Sequence, residues 1–129
     1  MSLVQNHDSK FDLQLSQALI DERRLGAIFV GATLERIELK SESWLWEKSG
    51  NICIEYRRNG RLTGISTTEA DVWVHELKRD GETLVYLMFP IDRLKALCRD
   101  AIRAGRVRKG VGDDGLSDVV ILRLKDILR

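Results

Sequence analysis

Apolar and polar residues alternate in two runs near the middle of the chain, and a period of two predicts strands. From Thr33 to Ser41, residues Arg36, Glu38 and Lys40 fall on one face, and Glu35, Ile37 and Leu39 on the other. From Asn51 to Arg57, Ile52, Ile54 and Tyr56 oppose Cys53, Glu55 and Arg57. A third run, Asp71 to Leu77, sets Val72, Val74 and Glu76 against Trp73, His75 and Leu77, and a fourth, Thr83 to Phe89, is almost wholly apolar. Asn59-Gly60 reads as a tight turn and Lys78-Arg79-Asp80-Gly81 as a hairpin turn. A last strand spans Asp118 to Leu124, where the continuous run Val119-Val120-Ile121-Leu122 predicts burial on both faces.

Helical spacing appears on either side of these runs. From Asp12 to about Gly26, Leu15, Ala18, Leu19 and Glu22 follow the i, i+3, i+4, i+7 rule, with Asp12 as a cap and Gly26 as an end. Ala27 to Val30 extends that helix or begins a strand. Pro90 suits the first turn of a second helix, whose stripe is Leu94, Leu97, Cys98 and Ala101. Ile65 to Ala70 predicts a helical turn capped by Ser66 or Thr67, with Glu69 reaching back. Residues 1–11 read as loose, and Arg106 to Gly115 as a charged, glycine-bearing loop. The expected fold class is α/β, a mixed central sheet flanked by helices in the order α-β-β-β-β-α-β, forming one domain over residues 1–129.

Composition narrows the class of function. The chain of 129 residues is long enough to bury a core without staples, and 43% hydrophobic with 32% charged residues describes a folded globular protein. With no apolar run near the roughly 20 residues of a membrane span and no signal-peptide pattern, the expectation is a cytoplasmic protein with no membrane partner. Cys53 and Cys98 make no zinc spacing with the histidines and are expected to be buried free thiols. A net charge of +1 argues against a domain that wraps duplex nucleic acid, though a local patch can still grip phosphates.

Candidate chemistry gathers on the two half-polar strands. Glu38 and Lys40 share a face about 6.6 Å apart along the strand; if the two runs pair about 4.8 Å apart in a sheet, Glu55 joins them. Two carboxylates and an ammonium suit Mg²⁺ or Mn²⁺, with Lys40 orienting water or offsetting developing charge. The ordinary alternative is a solvated edge or a cross-strand ion pair. Glu22, on the apolar stripe of the first helix, either meets a metal or an arginine such as Arg36, or lies at the stripe's margin and snorkels to solvent. Arg57, Arg58 and Arg61 surround one turn, and Lys95, Arg99, Arg103 and Arg106 fall in one arc of the second helix; each group is a solvated surface or a phosphate contact. Trp44 and Trp46 either stack on bases or cover one end of the core. His75, among apolar neighbours, reads as structural.

Glu38-Leu39-Lys40, then Ser49 through Tyr56, then Gly60 through Asp71, resemble the small phage and bacterial nucleases of the PD-(D/E)xK, restriction-endonuclease-like superfamily. The close resemblance covers roughly a third of the chain. It implies a Mg-dependent deoxyribonuclease with Glu38 and Glu55 as metal ligands, Lys40 positioning water, Glu22 as an auxiliary acid, and DNA as partner; a homodimer is compatible with it. The superfamily also places an aspartate on a strand before Glu-x-Lys. The upstream acids here are Asp8, Asp12, Asp21, Glu22 and Glu35, none in such a setting. In a second register Glu38 is that first acid and Glu55-Tyr56-Arg57 stands for Glu-x-Lys, with an arginine that cannot act as a base. The competing expectation is a nucleic-acid-binding or assembly module that keeps the fold without the chemistry.

Overall fold

The computed structural model describes residues 36–43 and 45–128. The predicted first helix with Glu22, the run Ala27–Val30, the start of the first strand and Trp44 lie outside them. Among the described residues the architecture is mixed α/β. The strands are β1 (Ile37–Glu42), β2 (Asn51–Arg58), β3 (Arg61–Leu62), β4 (Val72–Arg79), β5 (Glu82–Pro90), β6 (Val107–Val111) and β7 (Ser117–Arg123). The helices are α1 (Leu45–Ser49), α2 (Ile91–Arg103) and α3 (Leu124–Ile127). No helix among the described residues is long and apolar enough to cross a membrane.

The expected single sheet is two hydrogen-bonded sheets, ordered β1-β4-β5 and β3-β2-β7-β6. β1 runs parallel to β4, with Glu38 beside Trp73 and Lys40 beside His75, while β4 and β5 form a hairpin. β1 and β2 are therefore not paired strands. At their junction the Cys53 N–H of β2 donates to the Glu42 carboxylate of β1 at 2.5 Å. A side chain fills the place that a neighbouring backbone carbonyl would otherwise take.

Local turn chemistry sets both hairpins. Asn59 and Gly60 have φ of 50° and 76°, and Asp80 and Gly81 have 52° and 79°, the left-handed pairs that match the twist of two-residue connections. Pro90 precedes α2 as its N-cap residue, and the helix buries Leu94, Cys98 and Ala101 against β7, β5 and β4. The core joins these to Ile52 and Ile54 of β2, Trp73 and Leu77 of β4, Phe89 of β5, and Val120 and Leu122 of β7. Trp46 closes one end of that cluster and donates its indole N–H to the Lys78 carbonyl at 2.9 Å.

Three local expectations are corrected. The charged loop after α2 contains β6, which pairs with β7 through Val107, Arg108 and Val111; its exposed Arg108, Lys109 and Gly110 hide the strand from any hydrophobic pattern. The turn after β3 is a 3₁₀ turn over Gly64–Ser66 preceded by Thr63, without a side-chain cap. Cys53 is exposed, because it lies on the face of β2 opposite Ile52 and Ile54; Cys98 is buried.

Candidate functional site

The acid-bearing face of β1 looks toward the β4 residues that share its register. Lys40 Nζ lies 3.4 Å from Glu38 Oε1 and 5.9 Å from the Trp73 ring centroid, a cation–π distance. The alternation continues one step past the predicted strand end and adds Glu42 to the same face.

Glu42 organises the junction of the two sheets. Its Oε1 takes both the Cys53 backbone N–H and His75 Nε2, the latter at 2.8 Å. On the other side of the imidazole, the Trp73 indole N–H donates to His75 Nδ1 at 3.2 Å. An indole nitrogen only donates, so Nδ1 accepts and the ring proton sits on Nε2, aimed at Glu42. His75 is 1% exposed and both of its nitrogens are occupied, which makes it a positioning group rather than a free acid or base.

Glu55 is held from two other elements. Ser117 Oγ of β7 donates to Oε1 at 2.7 Å, and Thr63 Oγ1 donates to Oε2 at 3.1 Å. Ser117 in turn accepts from Arg58 Nη1 at 3.0 Å, and Arg58 is ion-paired with Asp114. The Asp114 carboxyl is accordingly held below its ordinary range, chiefly by that Arg58 hydrogen bond. The ladder between β2 and β7 shifts register between Glu55 and Arg57, a bulge that re-aims side chains at this point. Gly64, with φ of 53°, lies directly against the Glu55 backbone, and this close approach brings Thr63 within reach of the carboxylate.

These parts meet in a cavity of about 290 Å³ lined by Lys40, Glu42, Cys53, Glu55, His75 and Ser117, among others. A neighbouring cavity of about 460 Å³ shares Ser41, Glu42 and Cys53 with it and extends past Arg108, so the two read as one groove. Lys40 and Glu55 thus share a wall across the junction of two sheets, not as neighbours in one sheet. Glu38 is not part of that lining and stands next to it through its ion pair with Lys40. The exposed Cys53 has its thiol pushed up, by desolvation at the wall first and by Glu42 second, with Arg108 opposing. A thiol so placed is not an activated nucleophile.

The basic residues named from the sequence do not gather here. None of Arg57, Arg58, Arg61, Lys95, Arg99 and Arg103 lines the cavity. Arg57 lies over the Tyr56 ring at 5.7 Å, Arg58 is committed to Asp114 and Ser117, and Arg103 pairs with Asp100 at 3.3 Å. Lys95 and Arg99 border a separate depression with Tyr56 and Ile65, and Arg61 is exposed on β3.

Among the described residues, no group of three His, Cys, Asp or Glu side chains is placed to hold a metal ion. Glu42 and Glu55 both line the cavity, and their hydrogen bonds leave carboxylate lone pairs to spare. This donor type is the one a hard cation such as Mg²⁺ takes, with one or two carboxylates and with water and phosphate oxygens completing the shell. It does not fit a structural zinc site, which needs four nitrogen or sulfur ligands.

The sequence reading missed Glu42, Ser117 and Thr63. Extending the β1 alternation to Glu42 would have found the first; the other two act through contacts distant in sequence. Comparison with family models, curated proteins and solved structures finds no match to this chain.

Proposed function

We propose that the groove is the catalytic cleft of a metal-dependent nuclease hydrolysing DNA phosphodiester bonds, on a variant of the restriction-endonuclease-like fold. The observation that carries this reading is that Lys40 and Glu55, from strands in different sheets, line one cavity. The parallel pair β1–β4, with its acid-bearing edge strand, supports the fold assignment.

In this reading Glu55 and Glu42 would hold Mg²⁺ or Mn²⁺, and the ion, when bound, supplies Lewis-acid stabilisation of the phosphodiester oxygens. Lys40 presents an ammonium beside the same wall, where it orients the attacking water or offsets negative charge developing on the phosphoryl oxygens. Glu38 holds that ammonium through the 3.4 Å ion pair. Ser117 and Thr63 fix the Glu55 carboxylate, and His75 fixes Glu42. Glu22 enters the proposal only through the resemblance.

The test is cleavage of single-stranded, duplex and branched DNA with Mg²⁺ or Mn²⁺. Cleavage abolished by EDTA, and lowered about 100-fold or more by Glu55→Gln and by Lys40→Met, is the expected result. Full activity in Glu55→Gln removes the site. Glu38→Gln is expected to lower the rate less than Glu55→Gln, and the reverse order would return Glu38 to the role of principal ligand.

A second reading, a non-catalytic nucleic-acid-binding or assembly module, draws on the lack of a three-ligand cluster among the described residues. It predicts DNA binding that survives EDTA with no cleavage of any substrate.

A further inference from the structure

We propose that a different cavity, walled by α2, the segment following it, β7 and α3, binds a small organic phosphate. It encloses about 360 Å³ and shares no lining residue with the Lys40–Glu55 groove. Arg93, Arg106 and Arg123 all line it. The Arg106 Nε–H is wholly enclosed and has no hydrogen-bond partner among the described residues. Buried donors are nearly always paired, so this N–H gains an acceptor only when the guanidinium turns toward an anion held in the cavity.

Charge points the same way. Asp126 accepts from Arg123 Nε at 2.6 Å and stands 3.9 Å from Arg106 Nη2. Asp100, the other acid in the lining, is paired with Arg103, a residue outside it, at 3.3 Å. Arg93 makes no ion pair among the described residues. Among the described lining residues, three guanidiniums stand against two carboxylates. A phosphate offers several acceptor oxygens in a geometry that guanidinium forks match, and can serve Arg93 and Arg106 together.

The volume says more than the charge. A phosphate ion alone would leave most of 360 Å³ unfilled, and the other described lining residues, Leu97, Leu122 and Ile127, are apolar. Pockets of this size hold small organic ligands by apolar contact, with a few polar groups fixing orientation. The ligand class is therefore a phosphorylated small molecule with an apolar or ring-bearing body, and a 5′-mononucleotide is the probe that matches it. This proposal does not rest on the nuclease reading.

The experiment is calorimetric titration and thermal unfolding of the full chain with a 5′-mononucleotide, with inorganic phosphate, and with sodium chloride at matched ionic strength. The mononucleotide is expected to bind and raise the midpoint, phosphate to do so less, and sodium chloride not at all. Arg93→Gln is expected to weaken mononucleotide binding about tenfold or more, and Arg106→Gln to remove it. Because Arg93 is exposed and makes no ion pair among the described residues, its variant keeps the test decisive even if Arg106→Gln fails to fold. Glu55→Gln should leave this binding unchanged. No binding by wild type, binding undiminished in Arg93→Gln, or binding lost in Glu55→Gln would each overturn the proposal.

Discussion

Replacing Gly64 by alanine tests how the Glu55 site is assembled. Gly64 has φ of 53°, a region in which an L residue costs about 1–2 kcal/mol. A Cβ at this position would sit 2.9 Å from the Glu55 carbonyl carbon, closer still to its oxygen, and 3.3 Å from the Glu55 Cβ. Backbone atoms in a paired strand cannot swing aside, so overpacking adds about 1–3 kcal/mol. The expected total is about 2–5 kcal/mol, or a midpoint about 8–20 °C lower for a domain of this size. Gly60→Ala is the control: its φ is 76°, but nothing lies within 4 Å of the added methyl, so only the conformational cost of about 1–2 kcal/mol remains. Urea unfolding of both variants separates the two contributions. Equal destabilisation would refute the claim that the turn is pressed onto β2 at Glu55, and with it the account of how Thr63 reaches the carboxylate.

Two further outcomes follow from hydrogen bonds around the β1–β4 pair. The Glu76 carboxyl is lowered from 4.5 to about 2, first by the Ser41 hydroxyl and then by that of Thr83. Its folded value lies below its unfolded one, so its stabilisation is complete above about pH 4.5 and is lost as pH falls toward 2. Denaturant unfolding of Glu76→Gln should therefore show a flatter decline across that window than wild type, and parallel curves would contradict the assignment. His75→Leu leaves the Trp73 indole N–H without its acceptor and removes one of the two donors to Glu42 Oε1, the Cys53 N–H remaining. It should cost about 1–3 kcal/mol in equilibrium unfolding, and a neutral substitution would mean that the bridge contributes nothing.

The strands with clear alternation were readable because a period of two is a local property. So were the Asn59-Gly60 and Asp80-Gly81 turns, which need only two residues able to adopt positive φ. The helix after Pro90 carried its own start signal and apolar stripe. β6 was not readable: an exposed edge strand of Val-Arg-Lys-Gly-Val has no buried face to imprint a pattern, and its strand state depends on β7 lying beside it. The two-sheet arrangement was likewise hidden, since the period assigns a residue to a face but does not name the neighbouring strand.

By itself, the sequence determined where most of the strands run, where the chain had to turn, and that Glu38 and Lys40 share one face of a strand. Tertiary structure decided that β1 lies beside β4, that Glu42 spans the gap to Cys53 and His75, and that Glu55 faces Lys40's cavity with Ser117 and Thr63 as its donors. The division has a physical cause. Backbone sterics and side-chain alternation act over a few residues and are written locally, whereas a shared cavity requires groups far apart in the chain to be brought together by burial of a common core.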